Sequence, residues 1–292
     1  MSTAIVIRAL TTAALTGLLL GSGLRLEVNQ VMAVMRQRNL LARAMAINFL
    51  AVPALALGVI LLFKVPTEIA VGMLLLAAAP FAPVVPVFTK MARGDLALAA
   101  TLTGLFPLPS AFLTPWLCVL CLKLLPGAGE LHFQVFQLLL LLLTTITLPL
   151  AVGVALKHYR PNWARTMLKP VEVLAEGVGA ISLAFVTFVE FRTILDTGWS
   201  ALLAMALLCE LSLLLGYAVG GPATASRRVI AFGTSNRNIA LALLIAAGSF
   251  AGTPVLAGVV ANGLFLILLG LAHVAWWRWR PAREPNPSTA QS

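Results

Sequence analysis

The chain has 292 residues, of which 60% are apolar and 10% are charged, and its mean hydropathy is +0.99. A soluble globular protein carries about 25% charged residues, so this composition excludes that class. The net charge of +10 does not indicate nucleic acid binding, because the basic residues lie between apolar runs and not along one face or in a tail.

Nine apolar segments are long enough to cross a bilayer, since a spanning helix needs about 20 mostly apolar residues. In chain order they cover about residues 3–24, 40–63, 66–90, 95–123, 132–158, 167–194, 198–221, 224–249 and 252–279. The first lacks a basic leader and a cleavage site, so we expect a retained helix and not a signal peptide. The sequence predicts one all-α membrane domain over residues 1–280, followed by a disordered cytoplasmic tail over 281–292.

The positions of the basic residues predict an orientation. Most of the 20 lysines and arginines fall in the first, third, fifth and seventh connections and in the tail. Basic loops stay in the cytoplasm, so we expect the N-terminus outside and the C-terminus inside. Without a signal or transit segment, the bacterial inner (plasma) membrane is the expected location.

Two of the nine segments cannot be continuous helices. The third contains Pro80, Pro83 and Pro86, and the eighth contains the polar run 233–238 at bilayer depth. Setting the fifth segment aside leaves two sets of four, with the broken segment third in each. Interrupted segments at corresponding places are typical of inverted-repeat transporters. The alternative is a chance match, because proline and glycine are common in membrane helices.

Several stretches resemble the bile acid:sodium symporter family. They are residues 23–26, 66–73, 78–80, 91–98 and 233–240, and the resemblance covers nearly the whole chain. It implies the nine-helix form of the family, with a panel domain and a core domain in which segments 3 and 8 cross. It also implies secondary transport by alternating access.

The resemblance places the family's sodium positions on Val85, Pro86, Ala231 and Ser235. Sodium is a hard cation that needs several oxygen ligands, and three of these residues have no side-chain oxygen. The family's sodium sites are therefore not carried over to this chain. Sodium through a rebuilt site, a proton, or no coupling ion stay open as alternatives, and we expect no cofactor and no firm metal site.

Arg237 is a charged residue within a spanning segment, and such residues are functional by default. One hypothesis is that its guanidinium replaces the positive charge of sodium and binds a carboxylate or sulfonate. The predicted substrate-binding residues are Thr234, Ser235, Asn236, Arg237, Asn238, Asn48 and Thr103, of which Asn48, Thr103 and Asn236 match ligand-like positions of the family. The other hypothesis is a structural arginine paired with Glu176, Glu190 or Glu210.

Glu210 lies near the middle of segment 7 and is a candidate for proton coupling. The alternatives are an ion pair with Arg237 or a position near the interface. Cys118 and Cys121 have the spacing of a CxxC pair, but one turn of buried helix explains them better than metal or redox chemistry.

The sequence thus predicts a carrier of a small organic anion that works in the lipid bilayer. A membrane-embedded anion sensor without transport is the alternative, and an intramembrane enzyme is a weaker one. No catalytic pair is found, because Asp95 and Asp196 lie at the ends of segments. The short loops carry no motif for a protein partner.

Overall fold

The computed structural model describes residues 3–128 and 134–279, and these residues form an all-helical protein. Its helices are α1 (Thr3–Arg25), α2 (Val28–Arg36), α3 (Arg38–Ala46), α4 (Val52–Phe63), α5 (Thr67–Ala77), α6 (Val85–Met91), α7 (Leu96–Leu105), α8 (Pro107–Leu124), α9 (Val135–Leu142), α10 (Leu148–Tyr159), α11 (Pro161–Val189), α12 (Phe191–Leu195), α13 (Trp199–Val219), α14 (Thr224–Ser235), α15 (Ile239–Ser249) and α16 (Val255–Trp279). The predicted start of the fifth segment at 132 and the predicted disordered tail lie outside the described residues.

These helices confirm the predicted all-α membrane fold. In the described part of the chain, eight helical stretches are long and apolar enough to cross a membrane. The exception among the nine predicted segments is the third, because its break divides it into α5 and α6, each too short to span alone. The sixth segment begins earlier than predicted, at Pro161, and its helix ends at Val189.

Three segments predicted as continuous helices contain an irregularity. A π turn joins α3 to α4 at Ile47–Ala51, another joins α9 to α10 at Leu143–Thr147, and α7 passes into α8 around Phe106. Each irregularity directly precedes a proline at the start of the next helix, such as Pro53 in α4. Proline cannot donate to the helix ladder and clashes with the preceding turn, so a wider turn relieves the clash.

The two predicted breaks are present and they meet. The first lies between Ala77 and Val85, and the second between Ser235 and Ile239. The N–H of Ala82 donates to the carbonyl of Asn236 at 3.1 Å, and the N–H of Asn238 donates to the carbonyl of Ala79 at 2.8 Å. Each break therefore satisfies part of the other's exposed backbone, which unwound chain at membrane depth requires.

Close glycine contacts hold the helices together in two groups. A Cβ on Gly23 of α1 would lie 2.3 Å from a carbonyl oxygen of α10, and one on Gly72 of α5 would lie 2.5 Å from a carbonyl oxygen at the start of α16. Only glycine allows backbones to approach this closely. The first group contains α1, α10 and α11, and the second contains the two broken segments and α16.

Candidate functional site

A cavity of about 390 Å³ lies between the two groups of helices. One wall comes from α1 and α11, and the other comes from both breaks, α15 and α16. Most of the lining is apolar, with residues such as Leu18, Phe88 and Leu243. Its polar side chains are those of Glu176, Ser182, Asn236, Arg237 and Asn238. An apolar cavity with a few convergent polar groups is typical of a small-molecule site.

Arg237 is the central polar residue of this cavity. It lies in the second break, between α14 and α15, and is 4% exposed. Its Nη1 donates to the carbonyl oxygen of Asn48 at 3.3 Å, whereas its Nε and Nη2 have no hydrogen-bond partner among the described residues. The guanidinium is thus oriented by one hydrogen bond and keeps two buried donors without a partner in the described part of the chain.

The carbonyl of Asn48, which accepts from Arg237, has no partner in its own helix because of the π turn in segment 2. The N–H of Val52 donates five residues back, to the carbonyl of Ile47. The next carbonyl, that of Asn48, would receive the N–H of residue 53 in the same pattern, but residue 53 is proline. The local sequence therefore leaves one backbone acceptor for a side chain from another helix.

The other predicted substrate residues fall into two places. Asn236 and Asn238 line the cavity beside Arg237, and Asn238 also caps α15 by accepting from the N–H of Leu241 at 3.0 Å. Thr234 and Ser235 are buried in the last turn of α14, behind the cavity wall.

Asn48 and Thr103 also lie outside the main cavity. Asn48 is fully buried, and its Nδ2 donates to Thr234 Oγ1 at 3.3 Å, so it acts as a support for the second break. Thr103 lines a smaller cavity of about 40 Å³ next to the main one, and its hydroxyl has no partner among the described residues. Asn48 Oδ1 is likewise without a partner there.

Among the residues that the structure describes, no carboxylate forms an ion pair with Arg237. Within the described ranges, neither Glu176, Glu190 nor Glu210 forms an ion pair with it. Glu210 instead lies 3.3 Å from Nε2 of His273 on α16 and does not line the main cavity. The structure therefore separates Glu210 from the other predicted site residues.

Two residues of α11, Glu176 and Ser182, line the cavity and were not among the predicted binding residues. Ser182 is buried, and its hydroxyl lies 3.1 Å from the hydroxyl of Thr11 on α1. From the sequence, Glu176 is named only as a possible ion-pair partner of Arg237. A signal was present in the sequence, since Glu172 and Glu176 are four residues apart and face the same side of one helix.

The residues at the expected sodium positions offer few oxygen ligands. Val85 and Pro86 begin α6 and are buried, and Ala231 is fully buried in α14. The Ser235 hydroxyl is within 3.5 Å of the amide nitrogen of Asn236. The structure describes no group of three or more His, Cys, Asp or Glu residues that could hold a metal ion. These positions do not fit the sodium sites that the resemblance implies.

The model of the sodium bile acid symporter family matches residues 12–208, which is more than half of the chain. The chain belongs to this family. Membership agrees with the all-helical membrane fold and with the crossing of the two broken segments.

Individual members of the sodium bile acid symporter family are similar over most of the chain. The chain is 25% identical over 272 residues to the probable sodium/metabolite cotransporter BASS1, chloroplastic, of Arabidopsis thaliana, covering 92% of this chain and 66% of that protein. It is 24% identical over 284 residues to the probable sodium/metabolite cotransporter BASS2, chloroplastic, of rice, covering 95% of this chain and 66% of that protein. An uncharacterized sodium-dependent transporter of Bacillus subtilis, YocS, is 25% identical over 173 residues, 58% of this chain and 52% of its own length. The chain thus spans slightly less than two thirds of the length of the two plant relatives.

Proposed function

We propose that this protein is a secondary transporter that carries a small organic anion across the membrane by alternating access, with Arg237 as the fixed positive charge of the binding site. The observation that supports this most directly is the guanidinium itself. It is 4% exposed, lines an apolar cavity, and has two nitrogen donors without a partner among the described residues. A buried guanidinium that forms no ion pair costs several kcal/mol, so an anion that pairs with it directly is favoured.

The shape of the site suits a carboxylate or sulfonate with an apolar body. The free Nε and Nη2 of Arg237 can donate to two oxygens of one planar or tetrahedral anion. The N-terminus of α15 lies next to them and adds partial positive charge. The apolar part of the lining would then contact the rest of the molecule.

The position of the cavity supports alternating access. It lies between the group of α1 and α11 and the group that contains both breaks. Movement of one group against the other would open the cavity to one side of the membrane at a time. The family is named for symport and its relatives are named as transporters, which argues against an enzyme.

We further propose that anion binding does not require sodium. Val85, Pro86 and Ala231 offer no side-chain oxygen, and Arg237 supplies the positive charge directly. The oxygens of Asn48 and Thr103, at ligand-like positions of the family, have no hydrogen-bond partner among the described residues and are candidates for a rebuilt sodium site.

Thermal stability measurements test both proposals. Purified protein is heated with and without carboxylates and sulfonates ranging from propionate and benzoate to naphthalenesulfonate, in sodium chloride or choline chloride. We expect stabilisation by at least one anion, about 2.7 kcal/mol at a hundred times its dissociation constant, equally in both salts. Arg237→Gln should lose this stabilisation and Arg237→Lys should keep part of it.

Arg228→Gln is the matched control, because Arg228 is also buried in the eighth segment but does not line the cavity. It should lower the stability without removing the response to the anion. An anion response that survives Arg237→Gln would contradict the site, and a response that requires sodium would contradict sodium independence. A sensor without transport would bind the anion but give no flux in liposomes.

The location and orientation also remain proposals. We propose a bacterial inner membrane with the N-terminus outside, which places the basic first connection and the C-terminus in the cytoplasm. A green fluorescent protein fused to the C-terminus should fluoresce in bacterial cells. If the fluorescent protein does not fluoresce there, and a phosphatase that is active only in the periplasm is active when fused at the same position, the C-terminus lies outside and the proposed orientation is wrong.

A further inference from the structure

The main cavity contains a second charged side chain, Glu176 of α11. It is exposed and lines the cavity from α11, whereas Arg237 lines the cavity from the second break. Of the described residues that line the cavity, Glu176 and Arg237 are the charged ones. They do not form an ion pair in this conformation.

The two charges set a condition on what the cavity can hold. When both side chains are ionised, the net charge of the described residues that line the cavity is zero. A bound organic anion would leave one uncompensated negative charge in a largely apolar space, which is unfavourable. A positive charge that enters with the anion removes this excess, and Glu176 is the group that can receive it.

We propose that Glu176 binds one proton when the organic anion binds to Arg237, so that the anion and the proton are carried together. This inference rests on the proposed function, since it assumes an anion at Arg237. The proton passes from water to a carboxylate oxygen of Glu176, and the neutral acid no longer repels the anion. On release the anion leaves and the proton returns to water on the same side.

A second, smaller cavity adjoins Glu176 on the side of the C-terminal end of α1. Glu176 also lines the small cavity of about 40 Å³, together with Ser22, Arg25, Thr103 and Glu172. This volume is large enough for at least one water molecule, which needs about 10–15 Å³. Arg25 is the last residue of α1, at the end that we propose to be cytoplasmic. Water in this cavity can exchange a proton with Glu176.

Several charged groups lie near Glu176 on α11 or on the helices packed against it. Arg237 lines the same main cavity, and Glu172 lies one turn away on α11, where it forms an ion pair with Arg25 of α1. The helices packed against α11 contribute Lys157 on α10, which pairs with Glu27, and His273 on α16, which pairs with Glu210.

A proton fits this position better than sodium. Sodium needs several oxygen ligands. Of the α11 residues that line the main cavity with Glu176, Gly179, Ala180 and Leu183 have no side-chain oxygen, and the hydroxyl of Ser182 is already within 3.1 Å of that of Thr11. The other side-chain oxygens near Glu176, those of Ser22, Thr103 and Glu172, line the small cavity and not the main one. Glu210, the carboxylate predicted for proton coupling, does not line this cavity.

The test measures proton uptake on anion binding. Purified protein in a weakly buffered detergent solution with a pH indicator is titrated with benzenesulfonate or naphthalenesulfonate, which do not exchange protons near neutral pH, and the result is compared with calorimetric binding. We expect about one proton taken up per anion bound. Where binding takes up one proton, the affinity should rise about tenfold for each unit by which the pH falls.

Variants distinguish the possible outcomes. Glu176→Gln should bind the sulfonate with no proton uptake and no pH dependence, while the control Glu210→Gln should behave like the wild type. Uptake that persists in Glu176→Gln, or that disappears in Glu210→Gln alone, would overturn the assignment. Binding that needs sodium and takes up no proton would also overturn it and would leave the anion site intact. If neither sulfonate nor any other anion of the panel binds, the proposed function itself fails.

Discussion

The contact between Gly233 and Phe81 joins the two breaks, and it gives a strong prediction for a single added methyl group. A Cβ on Gly233 of α14 would lie 2.0 Å from Cζ of Phe81 and within 2.4 Å of both neighbouring ring carbons. Phe81 lies in the first break with a φ of 55° and is 1% exposed. Its ring is stacked on that of Phe106 with 4.2 Å between centroids. The ring therefore cannot tilt away without disturbing a second aromatic side chain.

The expected cost follows from this enclosure. Overpacking a close-packed core costs about 1–3 kcal/mol. The stack of Phe81 on Phe106 would also be disturbed, and such aromatic pairs contribute about 0.5–1.5 kcal/mol beyond burial. We therefore expect Gly233→Ala to destabilise the protein by about 3 kcal/mol, at the upper end of the overpacking range. The crossing of the broken segments, and with it the main cavity, should loosen.

The measurement is the apparent melting temperature of purified protein in detergent, at one fixed scan rate because membrane proteins often unfold irreversibly. Gly177→Ala is the matched control, since no described atom beyond its own turn of α11 lies within 4 Å of the added Cβ. It should be neutral or slightly stabilising, because alanine favours helix by about 1 kcal/mol over glycine. Combining Gly233→Ala with Phe81→Leu should recover part of the loss. Equal melting temperatures for Gly233→Ala and Gly177→Ala would refute the reasoning.

Two further predictions concern local structure. Asp95 caps α7, because its Oδ1 accepts from the N–H of Leu98 at 2.9 Å. Asp95→Ala should therefore lower the stability by about 1 kcal/mol, and Asp95→Asn should lower it less. Equal melting temperatures for the wild type and Asp95→Ala would contradict the cap. The thiols of Cys118, Cys121 and Cys209 are free and buried, so a water-soluble maleimide should label them only after unfolding. Rapid labelling of the native protein would mean that one of these positions faces water.

The breaks could be predicted because their cause is local. Three prolines within seven residues exclude a continuous helix whatever surrounds them, and a polar run that contains Arg237 is unfavourable in lipid unless it lines a cavity. Chain order alone then placed the two breaks in corresponding positions. The same signals led to Asn236, Arg237 and Asn238, which all line the main cavity.

The rest of the site depends on packing that no local pattern specifies. Glu176 and Ser182 reach the cavity because the small residues Gly17 and Ala175 let α1 and α11 approach closely. In the sequence, Glu210 lies as near the middle of its segment as a cavity residue would. In the structure, its carboxylate lies beside His273 and not in the main cavity. The π turn at Asn48 was also missed, because a proline near the start of a helix is usually compatible with a regular first turn.

The two buried arginines of the eighth segment differ in how the structure stabilises their charge. Arg228 donates to the carbonyl of Ala92 at 2.7 Å, and its guanidinium lies 5.7 Å from the ring centre of Trp277, so a backbone oxygen and an aromatic face both stabilise its charge. Arg237 has one acceptor, the carbonyl of Asn48. Among the described residues, no aromatic ring is stacked on the guanidinium of Arg237. A carbonyl fixes the direction of a guanidinium but does not cancel its charge, whereas a carboxylate would do both. The π turn and Pro53 thus provide an acceptor that positions Arg237 without cancelling its charge, and this contrast with Arg228 supports the proposed anion site.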